Sequence, residues 1–101
     1  MERADDTMLD QIEELLNADK PSLARMEDTL TEGYAQALAL EAERWRLERR
    51  IGEVARAGRT DVGEELRSLG CRLTRADGEL AKLRTLLGTL HERCRLLRRA
   101  S

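Results

Sequence analysis

Apolar residues recur along this chain at helical spacings, in three runs separated by two short breaks. In the last run Val62, Leu66, Leu69, Leu73, Ala76, Leu80, Leu83, Leu87, Leu90, Cys94 and Leu97 follow an unbroken four–three spacing. Five heptads with an apolar residue at every such position predict one long helix lying along another helix, with left-handed supercoiling. A helix is expected over residues 61–99. Before it, Leu23, Met26, Leu30, Gly33, Ala37, Leu40, Arg44, Leu47, Ile51 and Val54 mark a second seam, with small residues at its centre and one charge, Arg44. This predicts a helix over residues 21–57. The first run, Met8, Leu9, Ile12, Leu15 and Leu16, makes one apolar face on a short helix over residues 6–17. With acids crowding its first turn, that helix suits its own dipole but is too short to persist unless docked.

The breaks are Asn17 to Ser22 and Ala57 to Thr60. Pro21 suits the first turn of a helix, and either Asp19 or Ser22 could cap it. Gly58 suits a left-handed helix end, and Asp61 with Glu64 has the form of a capping box. So short a second break makes the long helices antiparallel neighbours. Folding about residues 58–59 pairs Leu47 with Leu69, Leu40 with Ala76, Ala37 with Leu80 and Gly33 with Leu83, while Arg44 falls near Asp77. Small then faces large in successive layers, as close packing prefers. The expected fold is all-α: a coiled-coil-like antiparallel hairpin preceded by a short amphipathic helix, a single helical domain over residues 1–101. As a dimer it would complete a four-helix bundle.

Composition sharpens this picture. Charged residues are 38 % of the chain, aromatics 2 %, and Phe is absent, so the core must be built of Leu. The strict spacing of those leucines and the single Pro argue against disorder. Net charge is −2, which gives no global case for nucleic acid or membrane binding, although residues 1–20 alone carry seven acids against Arg3 and Lys20. No apolar run approaches the ~20 residues of a membrane span, and no signal-peptide pattern begins the chain. Cys71 and Cys94 would lie about 34 Å apart on one helix, beyond disulfide reach. A reduced, cytoplasmic protein is expected.

Candidate chemistry is sparse. His91 has only Cys94 near it, so no metal site is expected, and neither cysteine has a base to activate it. The glycines are isolated rather than gathered in a phosphate loop, and Ser22, Ser68 and Ser101 have no triad partners. No cofactor and no enzymatic activity are expected. Arginines gather in two groups, Arg44 to Arg56 and Arg93 to Arg99, the first interleaved with Glu41, Glu43, Glu48 and Glu53 as in surface ion pairs. Gly63 and Gly70, a heptad apart on the seam's flank, offer either close approach to another molecule or simple tolerance of glycine.

Tyr34, Leu38 and Trp45 lie off the main seam of the second helix, as do Leu86 and Leu96 on the third. A two-helix hairpin has one face to bury, so these need another cover: the first helix, or a second subunit. Aromatic anchors are typical of protein interfaces. The candidate partner-binding residues are therefore Tyr34, Leu38 and Trp45, with Met8, Leu9, Ile12 and Leu16 of the first helix. The expected function is a non-enzymatic protein–protein interaction module, an adaptor or regulator that could bind a transcription factor or its own copy. Two other readings are a regulator binding an anionic small molecule such as a nucleotide through arginines at a dimer interface, and a helical-bundle enzyme. The segment Glu43 to Gly52 is similar to the first helix of the helical chorismate mutases, but the third helix lacks the inward polar residues of such a site. Two long helices and one Trp also resemble the secreted hairpin proteins with a Trp-x-Gly turn, yet Trp45 sits inside a helix.

Overall fold

The computed structural model describes residues 4–100, with side-chain surroundings from Thr7 onward. Glu2 and the side chains of Asp5 and Asp6, part of the acidic beginning, lie outside what is described. Three helices and no strand occur among the described residues: α1 (Ala4–Leu16), α2 (Leu23–Arg56) and α3 (Gly63–Ala100). Helices α2 and α3 form the antiparallel hairpin, and α1 packs along its open end. The result is a slender body of 63 × 25 × 15 Å, about as long as the 38 residues of α3 would span at ~1.5 Å each.

Capping explains the breaks. Ser22 is extended (φ −101°, ψ 114°), and its hydroxyl accepts from the Arg25 amide at 3.3 Å, the third residue of α2. Pro21 therefore stands just outside the helix rather than in its first turn, and Ser22, not Asp19, is the cap. At the other end the Ala57 amide donates to the Glu53 and Val54 carbonyls, and Gly58 takes φ +71°, the left-handed stop its lack of Cβ permits. Helix α3 begins at Gly63, where the Val62 carbonyl accepts from Leu66 at 2.9 Å. Asp61 thus precedes the capping position expected for it. Glu64 and Glu65 supply the negative charge that the α3 dipole favours. Glu65 also accepts from Arg59 in the turn at 2.7 Å and from Arg50 of α2 at 3.0 Å. The Arg59 hydrogen bond, aided by Arg50, holds its carboxyl below the usual glutamate range.

Because α2 stops at Arg56 and α3 starts at Gly63, the hairpin is centred one residue later than the sequence suggested. The consequence shows at Gly33. A Cβ on Gly33 would lie 2.4 Å from Leu87 Cδ2, so Gly33 faces Leu87, one helical turn beyond the expected Leu83. The small-against-large logic survives with a different partner.

The core falls into two parts. Met8, Leu9, Ile12 and Leu15 of α1 join Met26, Leu30, Ala37 and Leu40 of α2 and Leu80, Leu83, Leu87, Leu90 and Cys94 of α3. Nearer the turn, where α1 does not reach, Leu47, Val54, Leu69 and Ala76 form a second cluster edged by half-buried Ile51, Val62, Leu66 and Leu73. Arg44 stands between the two clusters in sequence. It reaches Glu48 at 3.3 Å and Asp77 at 3.4 Å, with its side chain 43 % exposed, so the expected pairing is present but the side chain is not inward. A third helix is what completes burial: α1 brings its apolar face to a three-helix core.

The α1 end is held from a distance. No basic residue lies in its last turn, yet the Arg93 guanidinium of α3 donates to the Leu16 carbonyl at 3.2 Å. A cation on an orphan terminal carbonyl complements the α1 dipole. The short link to Ser22 makes α1 antiparallel to α2, and Arg93 fixes where it stops.

A Cβ added at Gly63, Gly70, Gly78 or Gly88 would meet nothing within 4 Å. Within this chain, then, the flank formed by Gly63 and Gly70 has no close neighbour requiring glycine. Gly70→Ala and Gly78→Ala should each stabilise the fold by up to about 1 kcal/mol through helix propensity. Thermal denaturation should show midpoints a few degrees higher; a fall for Gly70→Ala would mark another molecule against that flank.

Candidate protein-interaction face

The seven residues singled out as partner-binding divide cleanly. Met8, Leu9 and Ile12 are buried in the chain's own core, and Leu16 packs half-buried against it. Their apolar face is occupied by α2 and α3. Tyr34, Leu38 and Trp45 are instead 47 %, 66 % and 57 % exposed. Of the other two off-seam leucines, Leu86 packs against the core, whereas Leu96 is 50 % exposed at the open end.

Helical spacing explains why the three α2 residues remain outside. At ~100° per residue, Tyr34, Leu38 and Trp45 fall within about 40° of one another and away from the Gly33–Ala37–Leu40–Leu47 seam. They sit on the side that α1 leaves open. Tyr34 and Leu38 line a groove of about 370 Å³ with Ala37, Glu41, Arg84, Leu87 and Gly88. Its floor is Ala37 and Leu87, both buried, and the absent side chain of Gly88 opens its far wall. Glu41 and Arg84 bridge the groove by a direct ion pair between α2 and α3. The same pair also lines the neighbouring recess with Arg44, Trp45 and Glu48, so the ion pair stands between the two depressions.

Trp45 is held ready by its own helix. The Arg49 guanidinium lies 4.7 Å from its ring centroid, a cation–π contact, while Arg49 also pairs with Glu53 at 3.8 Å. Most arginines flagged in the sequence are similarly engaged. Arg50 pairs with Glu53 and Glu65, Arg95 with Glu92 at 2.6 Å, and Arg98 with Glu27 across the open end. Such exposed pairs contribute little stability individually but orient side chains.

Glu41, Arg84 and Gly88 were not among the residues that the sequence marked as partner-binding. Glu41 was legible, for Tyr34, Leu38, Glu41 and Trp45 keep the four–three spacing of a second seam. Arg84 and Gly88 join them only through the register of α3. His91 is exposed and Cys94 is buried, with burial pushing the Cys94 thiol up from its ordinary range. Among the described residues no group of three His, Cys, Asp or Glu is placed to hold a metal ion, and no helix is long and apolar enough to cross a membrane. No family model, curated protein or solved structure matches the chain.

Proposed function

We propose that this chain is a non-enzymatic helical interaction module, an adaptor or regulator that binds proteins through the open face of α2. A transcription regulator and a second copy of the chain are the partners considered, the latter completing a four-helix bundle. One observation carries the reading: three large apolar side chains, two of them aromatic, stand exposed on one face of α2, Tyr34 and Leu38 lining an apolar groove and Trp45 the recess beside it, although the same helix buries its own seam. Isolated exposed leucines are ordinary, but aromatic residues aligned beside an apolar groove are what interfaces bury. The ion pairs support it from the other side, since Arg49, Arg50, Arg84 and Arg98 already face acids of this chain.

Affinity capture with the full chain, run beside Trp45→Ala, tests this. Trp45 is more than half exposed, so the variant should keep its helicity and thermal midpoint. Bound protein should fall by about tenfold or more, as for a buried aromatic anchor. Equal capture by the two chains would sink the proposal for this face.

A further inference from the structure

The open face of α2 has an internal symmetry that suits it to itself. Glu27, Thr31, Tyr34, Leu38, Glu41, Trp45, Glu48 and Gly52 continue the four–three spacing as a second seam. Tyr34 and Trp45 stand eleven residues from the nearer end of α2, Tyr34 from Leu23 and Trp45 from Arg56. The apolar part of the seam is thus centred on the helix. Its two flanks differ in charge. Glu27 lies toward the beginning, and Arg49 and Arg56 toward the end, on either side of Gly52. The Arg56 guanidinium leans over Gly52, with one nitrogen 3.2 Å from where a Cβ would stand.

We infer that the occupant of this face is a second copy of the chain, docked antiparallel about a two-fold axis through the middle of α2. This rests on the interaction reading above and specifies its partner. A two-fold axis there sets Tyr34 against the partner's Trp45, and brings the two Leu38 side chains close to the axis. It also sets Glu27 over the partner's Gly52, beside the partner's Arg49 and Arg56. An isologous interface needs this self-complementarity, and the Arg56 guanidinium lying over Gly52 is the group that the carboxylate would meet there.

Charge over the whole length favours the same orientation. Residues 43–75, the turn half of the hairpin, carry nine arginines and six acids, whereas the rest of the chain carries a net −5. Antiparallel docking lays positive half on negative half. Parallel docking would set Glu27 on Glu27 and Arg56 on Arg56, which repel.

Sedimentation equilibrium of the full chain at tens of micromolar should return the mass of two chains, with dissociation favoured by high salt. Leu38→Glu, at a side chain two-thirds exposed, should keep its helicity and raise the dimer dissociation constant about tenfold or more. Orientation is read by disulfide trapping in a Cys71→Ser background: Glu27→Cys mixed with Gly52→Cys should cross-link, and neither alone should. Self-linking by Glu27→Cys would overturn the antiparallel arrangement. A dimer indifferent to Leu38→Glu would overturn this face as its interface. A monomer would overturn the second copy as occupant, and if Trp45→Ala still abolished capture of another protein the interaction reading would stand without it.

Discussion

Ile12→Asp is expected to release α1 from the hairpin and melt it. Ile12 is fully buried, and its neighbours Met8, Leu9 and Leu15 are its companions on the only apolar face of a 13-residue helix. Burying those side chains yields roughly 1.5–3 kcal/mol each. A helix this short does not persist alone. A carboxylate in the Ile12 site has no partner there and cannot be accommodated at several kcal/mol. Circular dichroism should lose the helicity of about these 13 residues, and amide exchange in α1 should become unprotected while residues near the turn keep their protection. Met26, Leu30, Leu83 and Leu90 would then face water, so hydrophobic dye binding should rise. Ile12→Val should cost only about 0.5–1.5 kcal/mol. If Ile12→Asp kept α1 protected, the three-helix core described above would be wrong.

Gly33→Leu should be the most damaging single change within the hairpin. Even the Cβ of alanine would come 2.4 Å from Leu87 Cδ2, and Leu87 is 1 % exposed in the three-helix core. Alanine gains about 1 kcal/mol in helix propensity, but overpacking of a filled core costs about 1–3 kcal/mol. Gly33→Ala should thus be neutral to moderately destabilising, whereas Gly33→Leu, with a whole side chain to place, should lose about 3 kcal/mol or more. Denaturant titration of both, with Leu87→Ala and the Gly33→Ala/Leu87→Ala pair, makes the cause explicit. The alanine at 33 partly refills the space vacated at 87, so the double variant should cost clearly less than the sum of the singles. Additive costs would mean that the two residues do not face each other, and the register would have to be redrawn.

That register shows where sequence reading stops. The four–three leucines of α3 declared the helix, its partner and its direction, because one face of a long helix must be covered. Gly58 declared the end of α2 by backbone chemistry, while Ser22 was one of two possible caps at its start. The pairing of Gly33 depended on a smaller matter, where α3 begins, and Val62 rather than Asp61 carries its first carbonyl acceptor. A shift of one residue at the turn moves each pairing by two, enough to bring Leu87 rather than Leu83 to Gly33. The position of α1 was less legible still. Ile12 and Leu86 each announce a face needing cover, but the link through Arg93 to the Leu16 carbonyl joins residues 77 positions apart and leaves no periodicity. The candidate face was legible in Tyr34, Leu38 and Trp45, while Met8, Leu9, Ile12 and Leu16 look alike whether a helix docks on its own chain or on another. Arg84 and Gly88 could be found only after α2 and α3 were in register.

The slenderness of the molecule has a practical consequence for anyone who weighs it. Its radius of gyration is 17.9 Å, whereas about 13 Å is usual for a compact chain of this length. By the same scaling, 17.9 Å belongs to a globule of roughly 250 residues. A single copy passing through a gel-filtration column will therefore emerge earlier than a round protein of its mass. Elution volume alone will overstate that mass, and light scattering or sedimentation must do the counting.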